Sequence, residues 1–195
     1  MLRGYSRVSG FLLALVSVSL LAASANAAPV LIDDFAGTTL GFRTVSTTGG
    51  SFPAPVPGTL TFTGGTELKL TYSLIGGVDL GSPNNAIAIV VDSLVAGVAG
   101  VNLMVTVKDT VPNPARSFTL NNIGAGTHVF EYANFLPGSP PFVFDDVDEI
   151  EVKFSSLNPF AVTVSDIQAV PEPGTAAMLS MGLLGLAFGG RRKVA

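Results

Sequence analysis

The run Glu67-Leu68-Lys69-Leu70-Thr71-Tyr72-Ser73-Leu74 alternates polar and apolar residues for eight positions. A period of two is the period of a strand, and it puts Leu68, Leu70, Tyr72 and Leu74 on one face. Val101, Leu103, Val105 and Val107 repeat the pattern. Further strand-like runs span 30–35, 59–63, 86–91, 116–120, 127–132, 149–154 and 160–170. Turn-formers lie between them: Gly49-Gly50, Gly64-Gly65, Gly76-Gly77, Pro83-Asn84-Asn85, Pro112-Asn113-Pro114 and the proline-rich stretch 137–141. Nine or ten short strands without a convincing helix predict an all-β fold, an antiparallel β-sandwich. Residues 92–100 admit either a short helix or a loop. No repeat of the length that builds solenoids or propellers stands out.

Composition narrows the chemistry. The 195 residues include no Cys, no Trp and one His, which removes disulfides, thiolate metal sites, cysteine nucleophiles and histidine-rich metal centres. Carboxylates and hydroxyls remain. Gly plus Pro is 35 of 195 (22 and 13), below the roughly 25–30% of low-complexity chains, so a folded domain is expected. Between Ala28 and Val170 there are thirteen acidic residues and five basic ones (Arg43, Lys69, Lys108, Arg116, Lys153), a net charge of minus eight. That balance excludes nucleic acid as a partner, because phosphates need basic neutralisation. Neutral glycans, cations and basic partners stay open.

The two ends of the chain read as targeting segments. Arg3 and Arg7 precede an apolar run from Phe11 to Ala23, followed by Ala25-Asn26-Ala27. This is the layout of a secretory signal peptide over residues 1–27, with signal peptidase cleaving between Ala27 and Ala28. Its apolar run makes about 20 Å of helix, short of a hydrocarbon core of about 30 Å. At the other end, Pro171-Glu172-Pro173 is followed by an uncharged stretch and then Arg191-Arg192-Lys193. The stretch from Gly174 to Gly190 makes about 25 Å of helix, within the lower range of single membrane spans. By the positive-inside rule the basic cluster stays cytoplasmic and the body, residues 28–170, lies across the membrane.

The tail, 171–195, resembles the PEP-CTERM sorting signal of certain Gram-negative bacteria. The resemblance rests on the Pro-Glu-Pro triplet, the glycine-containing apolar span, the Arg191-Arg192 pair and their place at the chain end. It implies recognition by an exosortase, with Pro171, Glu172 and Pro173 as recognition residues and Arg191 and Arg192 as the retention cluster. It also implies a transient inner-membrane intermediate, then delivery to the outer surface or extracellular matrix of an exopolysaccharide-producing organism.

Within the body, Leu31-Ile32-Asp33-Asp34-Phe35 opens the domain and Val164-Ser165-Asp166-Ile167-Gln168-Ala169-Val170 closes it. Each has a carboxylate set in an apolar strand. The arrangement resembles the jelly-roll sandwiches of carbohydrate-binding modules, which implies that the first and last strands pair and that a structural calcium sits where they meet. Asp33 or Asp34, with Asp166, would supply its carboxylates, alongside backbone carbonyls. The acidic run 145–151 lacks the spacing and glycine of an EF-hand loop, and from Glu149 onward it alternates as a half-buried strand with a charged wet face.

No Gly-x-Ser-x-Gly elbow accompanies His128, which reads as a solvent-facing strand residue. A carboxylate pair acting on a glycosidic bond needs no histidine, but nothing marks out one pair among thirteen acids. For sugar stacking the body offers Tyr72, on the inward face, and Tyr132 at a strand end. The sequence therefore points to an exported, exosortase-sorted, non-catalytic structural or interaction protein of the cell surface or biofilm matrix. An exopolysaccharide-binding module is the alternative, followed by a small carboxylate-dependent glycoside hydrolase.

Overall fold

A computed structural model describes residues 29–53, 56–81, 84–109, 115–135 and 142–171. The expected signal peptide with Ala25, Ala27 and Ala28 lies outside them, as do Glu172, Pro173, the apolar span, Arg191 and Arg192. The alternating runs form strands β1 (Val30–Asp33), β2 (Phe42–Ser51), β3 (Leu60–Val78) and β4 (Asn84–Ala96). They continue as β5 (Asn102–Lys108), β6 (Arg116–Leu120), β7 (Gly126–Glu131) and β8 (Val147–Pro171). A 3-10 turn, Tyr132–Asn134, follows β7. All the pairings between these strands are antiparallel.

Two long strands organise the fold. The first arm of β8 lies between β3 and β5, with Val152 opposite both Leu70 and Val105. Its second arm lies between β4 on one side and, on the other, the start of β3 followed by β1. β2 extends the first arm beyond β3, β6 extends it beyond β5, and β7 extends the second arm beyond β4. The expected pairing of first and last strands is present: Val30 opposes Ala169 and Leu31 opposes Gln168.

The strand count is lower than the sequence suggested because two pairs of predicted strands are continuous. Gly64-Gly65 reads as a turn but acts as an irregularity inside β3, where the register shifts on both sides of Gly65. A Cβ at Gly65 would lie 2.8 Å from the carbonyl oxygens of both Thr48 and Gly49 and 2.4 Å from the Phe62 ring. Glycine is thus required by close approach of β2. In the same way, residues 149–154 and 160–170 are two arms of β8, joined through Leu157-Asn158-Pro159 at its exposed corner. The 92–100 stretch holds no helix: β4 runs to Ala96, and a turn is closed by Gly100 N–H donating to the Gly97 carbonyl at 3.2 Å.

Inward-facing residues of both arms meet in one core, with Leu68, Leu70, Leu103 and Val152 from the first and Ile87, Ile89, Val162 and Val164 from the second. Phe62, Tyr72, Phe130 and Phe154 are fully buried there. Each large apolar side chain so buried contributes about 1.5–3 kcal/mol of hydrophobic stabilisation. The core lies within one compact unit, Pro29–Pro171.

Candidate functional site

The first arm has a wet face built by the alternation that built the core. With Ile150, Val152 and Phe154 turned inward, Glu149, Glu151 and Lys153 of β8 point the other way. Strand register aligns them in rows. Thr71, Glu151, Thr106 and Ser117 form one row across β3, β8, β5 and β6; Lys69, Lys153, Met104 and Thr119 form the next. Lys69 thus lies directly opposite Lys153, an unfavourable like-charge pair taken alone. Diagonal partners offset it: Lys69 reaches Glu151 at 3.6 Å and Lys153 reaches Glu67 at 3.4 Å. Lys108 pairs with Glu149 and lies 3.9 Å from Glu151.

These side chains half-bury one another. The Glu151 side chain is 15% exposed, while Lys69 and Lys108 are 35% and 40% exposed. Thr106 is buried on this outer face, its hydroxyl 2.9 Å from that of Ser117. The Glu149 hydrogen bond, reinforced by the Glu149 and Glu151 charges, raises the Lys108 pKa against the opposing effect of burial. Three lysines and three glutamates leave the patch neutral within a strongly acidic body. Carboxylates accept, ammonium groups donate and hydroxyls do both, so the face can exchange its internal hydrogen bonds for those of a polyol. Glycosidic hydrolysis would ask for two carboxyl groups free to act on a sugar, and here each glutamate is engaged by a lysine.

The β1–β8 seam is a second polar cluster and holds the three aspartates of the expected calcium site. Asp33 is fully buried. It accepts from the Arg43 guanidinium at 2.5 Å, the Tyr72 hydroxyl at 3.0 Å and the Phe35 amide at 2.8 Å. Burial, reinforced by the Asp33 charge, pushes the Tyr72 phenol far above its ordinary range and keeps it a hydrogen-bond donor. Arg43 also stacks over Phe35, 5.0 Å from the ring centre. Asp34 folds its own loop, one carboxylate oxygen accepting from the Ala36 and Thr38 amides at 2.9 Å each; these bonds lower its pKa.

Asp166 has a buried carboxylate oxygen without a partner. Burial raises its pKa, and the charges of Asp34 and Asp33 add to the shift. The three aspartates are thus neighbours in the electrostatic sense. Among the described residues, however, no three acidic or histidine side chains gather closely enough to hold a metal ion. Asp33 is committed to Arg43, a partner supplied by the strand that the sequence reading missed.

Tyr132 lies in the 3-10 turn with its ring stacked on Phe144 at 3.7 Å and its hydroxyl donating to the Leu80 carbonyl at 2.7 Å. One ring face and the polar tip are thereby used in packing. His128 lies on β7 with Nε2 2.8 Å from the Gly124 carbonyl, serving its own hairpin. Pro171, the first residue of the Pro-Glu-Pro triplet, ends β8 and lies opposite Asn84.

Residues 169–193 match the family model of the PEP-CTERM protein-sorting motif. No curated protein matches the chain. The body is similar to solved carbohydrate-binding modules. One is the family 11 module of the cellulosomal cellulase Lic26A-Cel5E of Clostridium thermocellum, with 16% identity over 74% of this chain and 95% of that one and a TM-score of 0.50. A family 30 carbohydrate-binding module matches at 13% identity over 75% of this chain and 100% of that one, also with a TM-score of 0.50. An exo-beta-agarase matches at 9% identity over 74% of this chain and 25% of the enzyme, with a TM-score of 0.51. At these identities the likeness is one of fold. The chain therefore carries a PEP-CTERM motif, which marks it for export and exosortase sorting, attached to a jelly-roll body of the kind found in carbohydrate-binding modules.

Proposed function

We propose that this protein is a non-catalytic, exosortase-sorted component of the cell surface or extracellular matrix whose sandwich binds neutral polysaccharide on the wet face of its first arm. The observation that carries the reading is the half-buried, charge-balanced lattice of Glu67, Lys69, Lys108, Glu149, Glu151 and Lys153, with Thr71, Thr106 and Ser117 among them. Neutrality suits an uncharged polyol, whereas the acidic remainder of the body repels anionic polymers. The fold likeness supports the ligand class: one family 11 module of similar fold is described in complex with a beta-1,3-1,4-mixed-linked tetrasaccharide. Migration in native gels containing mixed-linked glucan or the host's own exopolysaccharide tests it. Retardation that is lost in the Lys69→Gln/Glu151→Gln variant supports the site; equal retardation of both proteins, or of neither, overturns it.

Processing belongs to the same reading. Intact mass from the host envelope and medium is expected to give a species beginning at Ala28 and ending between Pro171 and Gly174. A species ending at Ala195 and held in the inner membrane would make the tail a plain anchor.

Calcium at the β1–β8 seam is a further element of the proposal, with Asp34 and Asp166 as its carboxylates while Asp33 stays with Arg43. The partnerless Asp166 oxygen supports it. Identical melting temperatures in calcium and in chelator would reject it.

A further inference from the structure

We infer that the free edge of β2 joins two copies of this chain by antiparallel pairing about Val45. β2 stands at one end of the strand order, paired on one side to β3, and all ten of its residues are exposed. A strand of this length at a sheet edge presents a row of backbone donors and acceptors to any chain that can align with it.

Native edges are commonly protected by charge, proline or brevity, and β2 uses none of these. Phe42-Arg43-Thr44-Val45-Ser46-Thr47-Thr48 contains no proline, no acid and one base, Arg43, whose guanidinium is held by Asp33. β7, at the other end of the order, is six residues long and carries Glu131 and His128. In a body of net charge minus eight, β2 is an edge where a second copy can approach without setting acid against acid.

The register follows from the strand itself. Pairing with β3 is regular from Phe42 to Thr48 and shifts between Thr48 and Gly49. The regular stretch is seven residues long with Val45 at its centre. A two-fold axis perpendicular to the sheet at Val45 sets Val45 against Val45, Thr44 against Ser46, Arg43 against Thr47 and Phe42 against Thr48. No like charges oppose one another, and the half-exposed Val45 and the exposed Phe42 both gain cross-strand cover. Such an interface is isologous and closes at two copies. It merges the two first arms into one sheet, β6-β5-β8-β3-β2 continued by its two-fold mate.

The occupant is a second copy because the regular stretch is self-complementary at its own midpoint. The inference stands apart from the polysaccharide reading, and its test uses no glycan. The chain has no cysteine, so a single introduced one reports a contact cleanly. In an antiparallel pair, directly opposed Cα atoms lie about 4.5–5.5 Å apart, within the span of a disulfide. Full-length Val45→Cys, exported to an oxidising compartment, is expected to run mainly as a dimer on a non-reducing gel. Val129→Cys, on the β7 edge and of similar exposure, is expected to remain monomeric. Adding Thr44→Asp and Ser46→Asp to Val45→Cys sets carboxylates opposite one another across the axis and should abolish the dimer band. Monomeric Val45→Cys, equal cross-linking at positions 45 and 129, or a dimer that survives the added aspartates would overturn the inference.

Discussion

The two ion-paired clusters use the same chemistry to opposite ends. At the seam, Asp33 is fully buried and receives donors from β2, β3 and the following loop. On the wet face, six charged side chains pair across three strands and stay partly exposed. A buried ion pair adds little net energy when whole, but losing one member leaves the other charge stranded. Exposed pairs contribute about 0–1 kcal/mol and can be exchanged. The seam is therefore structural and the face is available for binding.

The sharpest way to break the comparison is at the seam. Arg43→Ala leaves the Asp33 carboxylate buried with only the Tyr72 hydroxyl and the Phe35 amide, and it releases β2 from the corner of the fold. A loss of about 3 kcal/mol is expected by urea denaturation, the scale for a broken buried pair. A loss below about 0.5 kcal/mol would place the Arg43–Asp33 contact in the same energetic class as the surface lattice.

The wet face should respond the other way. Lys69→Gln/Glu151→Gln is expected to change stability by less than about 1 kcal/mol, because the pair is partly solvated and its neighbours re-pair. Affinity for mixed-linked glucan should fall about tenfold, the equivalent of about 1.4 kcal/mol and of one charged hydrogen bond lost. Salt sharpens the contrast. Raising ionic strength should weaken the exposed lattice while leaving the seam nearly untouched. A double variant that unfolds the domain yet keeps its glucan retardation when folded would reverse the two assignments.

This contrast also explains what could be read from sequence. Residues 67–74 and 149–154 announce both a core face and a wet face, because in a strand one alternation specifies the two together. The pairing of the first and last strands came instead from the resemblance of the two terminal segments to jelly-roll modules, and the register of Val30 with Ala169 bears it out. β2 was not, since Thr, Ser and Gly on a wholly exposed edge have no apolar face to reveal a period; its pairing comes from the β3 backbone. With β2 unseen, Arg43 had no position, and nothing in the sequence showed that Asp33 partners a guanidinium. The paired glycines misled for a related reason: Gly64-Gly65 has turn composition, but its smallness serves the approach of Thr48 and Gly49.

The smallest expected effect tests the part of the seam that Arg43 does not reach. Burial and the charges of Asp34 and Asp33 raise the Asp166 pKa above its ordinary 3.8. A carboxyl group raised in the folded state binds its proton more tightly there than in the unfolded chain. Its ionised form therefore opposes folding, fully so above the folded pKa, and the opposition fades as pH falls through that value. Asp166→Asn removes the charge while keeping the shape. Its melting temperature should exceed that of the parent at pH 7, and the gap should close on acidification, as the parent's own Asp166 becomes neutral. Calorimetry of both proteins across that range reads the difference. A variant that melts lower than the parent at pH 7, or a gap that does not vary with pH, would mean that the Asp166 carboxylate is satisfied where it lies.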